Sequence, residues 1–255
     1  MGIEQAFGPI DLRFVSDIDK DVNTLLAHHR ADVPNLGDLK TVDWEKQDQI
    51  DLLCAGYPCQ PFSTAGHRKG LEDERAIFGW IADGISVLRP ERVLLENVAG
   101  HLTLGSAGVV AELARLGYDC RWGIVRASDA GAPHKRARLF IWAQPANTNG
   151  KGLQRSRTEH KLGAGQKSKH TAWDDYEPAI RRWEQIMGRP APYPVDYKGI
   201  EPVFVEWMMG LPEGHVTGLG LSRTAELKML GNGVVPQQAA LALHYLTQER
   251  TQNAA

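Results

Sequence analysis

The alternation of two kinds of segment constrains this chain more than any other feature. Short apolar runs at residues 12–19 (LRFVSDID), 50–56 (IDLLCAG) and 92–98 (RVLLENV) each end in polar or glycine-containing turns. Between them, stretches such as 19–29 (DKDVNTLLAHH) and 76–88 (AIFGWIADGISVL) space their apolar residues as helices do. Strand-length runs alternating with helix-length runs predict βαβ units around a parallel sheet, an α/β fold. A further run at 138–144 (RLFIWAQ) is followed by a stretch rich in Gly, Ser, Asn and Lys from Asn147 to about Lys169, where the regular pattern stops. The expected organisation is an α/β domain over 1–146, a small irregular region over 147–220 rich in tryptophan and proline, and a returning segment over 221–255. That last segment holds a helix opened by Pro236, in VVPQQAALALHYLTQE. No internal repeat is visible.

With 42% hydrophobic residues among 255, the chain can bury a sizeable core. It has no apolar run of about 18 residues, and its first residues, MGIEQAFGPI, lack the basic flank and apolar stretch of a secretion signal. A soluble, cytoplasmic chain with no membrane association is expected. Cys54, Cys59 and Cys120 show no CxxC spacing, so neither a disulfide framework nor a metal is expected. The net charge of −2 excludes a protein that coats nucleic acid by bulk charge, so any nucleic-acid contact must come from local patches. One such patch runs from Lys151 to His170, where six lysines and arginines are accompanied by a single acid, Glu159. An ordinary solvated loop has the same composition.

Cys59 follows the apolar run at 50–56, just past the carboxyl end of the expected strand, where open α/β sheets place their ligands. Pro58 and Pro61 stiffen the backbone on both sides of the thiol, and Gly56 allows close backbone approach. A lone cysteine in such a place is more often a small buried hydrophobe than a nucleophile. Glu96 and the arginines at 136 and 138 would, each alone, be read as surface ion pairs.

Together these segments resemble the DNA (cytosine-5) methyltransferase family. The matching blocks occur in the family's order: Pro58-Cys59-Gln60 with Phe62 and Ser63; Glu96-Asn97-Val98; GAPHKRARLF at 131–140 with its paired arginines; and GNGVVP at 231–236. The resemblance implies a Rossmann-like S-adenosylmethionine-dependent methyltransferase fold with a small irregular target-recognition domain. In it 1–146 would be the catalytic and cofactor domain, 147–220 the recognition region and 221–255 the segment returning to the catalytic domain. The implied partner is double-stranded DNA, bound by a monomer without a metal.

The chemistry states its own needs. Carbon 5 of cytosine is a poor nucleophile, and addition of a thiolate at carbon 6 converts the ring into an enamine able to attack a sulfonium methyl. Cys59 is the implied thiolate. Glu96 is the implied acid at ring nitrogen 3, for which it needs a raised pKa. Arg138 is implied at the exocyclic oxygen, with Arg136 supporting the site or a phosphate. None of these atoms is reachable in a stacked duplex, so the base must flip out. The segment 63–75 (STAGHRKGLEDER) then suits a loop closing over DNA, with Gln60, Ser63, Arg68 and Lys69 as the implied DNA contacts. On the cofactor side the resemblance implies Asp17 for the ribose, Ile18 against the adenine, Asp38 and Leu39 beside it, and Pro58, Asn232 and Gly233 completing the pocket.

One block of the family has no counterpart. Family members open with a strand and a Phe-x-Gly-x-Gly loop, whereas this sequence begins in the helix that should follow. The simplest account is a start upstream of Met1; a strand supplied by a partner and a degenerate, inactive product are the others. A chain without that strand is expected to be unstable, because neighbouring strands keep unpaired backbone groups. Two rival functions follow: a catalytically dead DNA-binding protein, and a tRNA cytosine methyltransferase of similar architecture. The recognition region is short, and its aromatics, Trp173, Tyr176, Trp183, Tyr193 and Tyr197, suit either a platform beside the DNA groove or that region's own core.

Overall fold

The computed structural model describes residues 1–58, 75–146 and 173–248. Their centre is a four-stranded sheet built from β1 (Leu52–Gly56), β2 (Arg92–Val98), β3 (Tyr118–Val125) and β4 (Arg138–Pro145), in the order β1-β2-β4-β3. β1 and β2 pair in parallel across α3 (Arg75–Leu88), as the alternating pattern predicts. The other half of the sheet is antiparallel, with β4 running against both β2 and β3. The reason is the connection: β3 and β4 are joined by residues 126–137, whose only regular element is the short 3-10 turn Ala127–Ala130. That is too short for the crossover helix a parallel pair needs.

Period-two alternation divides the sheet residues between two cores. On one face, Leu53, Val93, Leu95, Tyr118, Cys120, Leu139 and Ile141 pack against α3 and α5 (Ser106–Arg115) through Ile81, Ile85, Val109 and Leu113. On the other, Leu94, Val125, Phe140 and Trp142 meet Ala242, Leu243 and Leu246 of α9 (Pro236–Thr247), with Ile3 and Ala6 of α1 (Gly2–Phe7) alongside. α4 (His101–Leu104) is a single turn between β2 and α5.

The run at 12–19, expected as a strand, contributes only an isolated parallel bridge between Val15 and Asn35. A ladder needs a neighbouring backbone along its length, and among the described residues only the segment 34–36 bonds to it, through Val15. Leu53 is the first buried residue of the chain; everything before it is exposed or half-buried. α2 (Lys20–His29) is nevertheless well specified, since the Asp19 carboxylate accepts from the Asp21 and Val22 amides at its start. It is tied to the rest by polar contacts, with Lys228 Nζ on Asp19 at 2.7 Å and His29 Nε2 on the His215 carbonyl at 2.7 Å. β1 forms the edge of the described sheet, and its residues LLCAG include neither a lysine nor a proline to protect that edge.

A third core joins Ala127 and Ala132 to α6 (Glu177–Met187) and α7 (Pro202–Met208) through Ile180, Trp183, Phe204 and Trp207. Proline at the first turn of each helix suits its start. The Trp183 indole donates to the Trp207 carbonyl at 2.9 Å. The aromatics of this region thus divide. Trp183 is core and Trp173 stacks on Phe204 at 5.7 Å, whereas Tyr193, before the small hairpin of β5 (Val195–Asp196) and β6 (Gly199–Ile200), and Tyr197, in its turn, are 85% and 90% exposed.

Glu206 is 1% exposed and holds the loop before α8 (Arg223–Asn232). Its carboxylate accepts from the amides of Gly214, Val216 and Thr217 and from the Thr217 hydroxyl, at 2.6–3.0 Å. Replacing it by Ala would leave those donors unsatisfied. Glu206→Ala is expected to lower stability by about 2–4 kcal/mol in urea denaturation, and Glu206→Gln, which keeps one acceptor oxygen, by less.

Candidate active site

Strand direction gathers the site. β1 and β2 are parallel and end at the same sheet edge, and β4, antiparallel to β2, begins there, so Arg138 lies opposite Val98. Glu96 and Arg138 are diagonal neighbours on the sheet face that also carries Leu94 and Phe140. Arg138 Nε lies 2.9 Å from Glu96 Oε1, with side chains only 14% and 16% exposed. Gly56 pairs with Glu96 from the other side, and a Cβ there would come within 3.3 Å of Glu96 Oε2. Burial pushes the Glu96 carboxyl above its ordinary value, and the attraction of Arg138 and then Arg136 opposes it. The result is a carboxyl whose neutral form is accessible, beside a fixed guanidinium.

The chain reaches Cys59 through Tyr57 and Pro58. Cys59 itself, with Gln60, Ser63, Arg68 and Lys69, lies outside the described residues. Tyr57 is buried and held at both ends: Asn97 Nδ2 donates to its carbonyl at 3.0 Å, and its hydroxyl meets His101 Nε2 at 2.9 Å. Burial lowers the His101 pKa, so the ring is neutral at pH 7 and can accept from the phenol. The Asn97 side-chain oxygen in turn accepts from the Val98 amide at 2.8 Å. Sequence reasoning did not single out Tyr57 or His101. Asn97 was visible only as the middle of the Glu-Asn-Val block.

The three alternate side chains of the segment 134–138 go to three places. His134 Nε2 donates to the Met208 carbonyl at 2.9 Å, at the end of α7. Arg136 Nη2 donates to the carbonyls of Gly231 and Gly233, each at 2.6 Å, and Arg138 faces Glu96. The structure therefore brings Glu96 and Arg138 together and directs Arg136 to the carboxyl end of α8. Gln238, buried at the start of α9, closes the arrangement by donating to the Val125 and Arg136 carbonyls at 2.8 Å.

On the cofactor side, Asp17 Oδ1 accepts from the Asp19 amide at 2.8 Å, while its backbone is pinned by Asn35 through two bonds of 2.9–3.0 Å. Ile18 is 73% exposed, an apolar side chain left uncovered. Asp38 accepts from the Lys40 amide at 3.0 Å, and Leu39 turns toward the core under α3. Pro58 and Asn232 are exposed and Gly233 is half-buried. An uncovered aliphatic side chain next to a pinned carboxylate fits the adenosine half of a nucleoside cofactor, the aliphatic group for the base and a carboxylate oxygen for the ribose hydroxyls. Among the described residues no group of His, Cys, Asp or Glu could hold a metal ion, and no helix is long and apolar enough to cross a membrane.

Residues 1–185 match the sequence profile of C-5 cytosine-specific DNA methylases. The chain belongs to this family. It is 37% identical over 147 residues to the type II methyltransferase M.NlaX of Neisseria lactamica, an alignment covering 55% of this chain and 47% of that one. It is 36% identical over 133 residues to the orphan methyltransferase M.SPRI of Bacillus phage SPR, covering 49% and 30%. The chain thus spans about half the length, or less, of the curated methylases it matches. Among solved structures, S. pombe Dnmt2 superposes with a TM-score of 0.64 at 19% identity, covering 97% of this chain and 96% of that one. A DNA modification methyltransferase described as encoded within a prophage of E. coli gives 0.61 at 17%, covering 97% and 95%. The fold is the S-adenosylmethionine-dependent methyltransferase fold, with a sheet that is part parallel and part antiparallel in this chain.

Two outcomes follow from the ion pair. In Arg138→Met the Coulomb attraction is lost while burial remains, so Glu96 should titrate higher than in the wild type, as read by carboxyl 13C NMR; an unchanged midpoint would mean that the pair is not populated in solution. Because the folded-state pKa of Glu96 lies above its unfolded value, its contribution to stability is full below the ordinary carboxylate range and is lost as pH rises through the folded value. The stability of Glu96→Gln relative to wild type should therefore improve across that same pH window, which a urea denaturation series would show.

Proposed function

We propose that this methylase transfers a methyl group to carbon 5 of cytosine in duplex DNA through a covalent adduct of Cys59 on a flipped base. The observation that carries the reading is the largely covered Glu96–Arg138 pair at 2.9 Å, at the carboxyl end of β1, from which the chain runs on to Cys59. Glu96, its pKa raised by burial, donates a proton or hydrogen bond at ring nitrogen 3 as the Cys59 thiolate adds to carbon 6. Arg138 holds that carboxyl and meets the exocyclic oxygen, where negative charge develops. S-adenosylmethionine, when bound, supplies the electrophilic methyl that carbon 5 attacks. Loss of the carbon 5 proton to a base and expulsion of the thiolate then restore the aromatic ring and the enzyme.

Asp17, Ile18, Asp38, Leu39, Pro58, Asn232 and Gly233 are the residues that would hold the cofactor. The region 147–220 would read the target, with Gln60, Ser63, Arg68 and Lys69 on the DNA. The exposure of Tyr193 and Tyr197 supports the platform reading for those two aromatics, and the burial of Trp183 the core reading for that one.

Duplex DNA carrying 5-fluorocytosine tests the proposal, since fluorine cannot leave carbon 5 as a cation. With S-adenosylmethionine a gel-stable adduct is expected, abolished in Cys59→Ser and slowed about 10²-fold or more in Glu96→Gln. An adduct that survives Cys59→Ser would overturn the assignment of the nucleophile. No adduct with duplex DNA would overturn the activity, and an adduct with tRNA alone would reassign the substrate.

A further inference from the structure

The paired arginines of the segment 134–138 do not share a task. Arg136 sits with φ at +32°, a backbone conformation that side chains other than glycine rarely adopt, and its surroundings keep it there. Gln238 Nε2 donates to its carbonyl at 2.8 Å, and the preceding carbonyl, of Lys135, accepts from the Ala127 amide at 2.8 Å. That geometry sends the guanidinium across to Gly231 and Gly233, whose carbonyls flank Asn232 and both accept from Arg136 Nη2 at 2.6 Å. Nη2 carries two hydrogens, so both are engaged. Nε is buried without a partner among the described residues. A guanidinium enclosed in this way differs from one reaching a DNA phosphate, which stays solvated until the strand arrives. Arg136 is half-buried, and desolvation followed by the charge of Arg138 pushes its pKa down to about 10.

We propose that Arg136 is a positioning residue: it clasps the Gly231–Gly233 turn, holding Asn232 in fixed register with the Glu96–Arg138 pair, and makes no contact with the DNA backbone. Only Ala137 lies between the clasping arginine and the one that faces Glu96, so the 231–233 segment and the acid are both held from one continuous stretch of backbone, and His134 extends that stretch to the end of α7. The inference deepens the proposed function, because Asn232 matters to the reaction only if the turn faces the cofactor; the clasp itself rests on geometry alone.

Arg136→Lys keeps the charge, but its ammonium ends one bond short of the Nη2 position and has no rigid planar fork to hold both carbonyls at once. Hydrogen exchange of the amides from Leu230 to Val234 should accelerate tenfold or more in this variant while exchange in the sheet core stays unchanged. The slope of log affinity for duplex DNA against log salt should match the wild type. Unchanged exchange in the turn together with a slope reduced by about one would assign Arg136 to a phosphate and overturn the proposal. Should the variant fail to fold, wild-type protein labelled in its arginine side chains decides: Arg136 Nη2 should show hindered rotation, and its signals should stay in place when a duplex oligonucleotide is added. A freely rotating group, or a shift on DNA, overturns the proposal. If the chain binds no DNA at all, the proposed activity falls, and the exchange and rotation measurements still decide the clasp.

Discussion

The antiparallel pairing of β2 with β4 is the constraint on which the rest depends. Its register sets Val98 against Arg138 and Glu96 against Phe140, and from that single alignment three things follow. Leu94, Phe140 and Trp142 form the face that receives α9, Leu95 and Ile141 form the face that receives α3 and α5, and the glutamate and arginine meet diagonally at the sheet edge. A slip of one residue would exchange the two faces, burying the charged pair's neighbours wrongly and turning the apolar set to the wrong helices. The chemistry and the core are therefore specified by the same hydrogen bonds.

Around that alignment, loops are held by buried and half-buried polar side chains that bind backbone groups. Asn97 holds the Tyr57 carbonyl, Gln238 the Val125 and Arg136 carbonyls, Arg136 the Gly231–Gly233 turn, and Glu206 the amides of Gly214, Val216 and Thr217. Each such bond contributes only about 0.5–1.5 kcal/mol net, or about 1.5–3 when one partner is charged, but leaving a buried group unsatisfied costs about 1–3. The arrangement thus acts less as a source of stability than as a penalty on every alternative loop position. The first fifty residues differ. They contribute no fully buried residue: Ile3, Ala6 and Leu39 pack at the margins of the two sheet cores, and Lys228 on Asp19 and His29 on His215 tie down α2.

Much of this was legible in the amino-acid order. The helices at 20–29, 75–88 and 236–247 and the strands at 52–56, 92–98 and 138–145 match the sequence periods closely, because each buries a stripe or a face and so must carry the corresponding spacing. The Pro-Cys-Gln, Glu-Asn-Val and paired-arginine blocks announced the family, because that chemistry requires those side chains whatever surrounds them. The run at 12–19 has the spacing of a full strand and forms only one bridge, since an apolar run has the same appearance whether or not a neighbouring backbone is there to complete its ladder. The parallel sheet was misjudged in its second half, because strand direction depends on the path of the connection, which residue spacing does not encode.

The linear order by itself determined which chemical groups are available and where the amphipathic helices and buried strands lie, because those are properties of a segment's own spacing. Only the tertiary structure decided where those groups point. Arg136 and Arg138 are separated by one residue and are chemically identical, yet one faces Glu96 and the other clasps Gly231 and Gly233. Tyr57 and His101 carry no motif and still meet at 2.9 Å beneath the approach to Cys59. The physical reason is that hydrogen bonds and burial join residues distant in the chain, and their energies exist only once the sheet has aligned the strands that carry them.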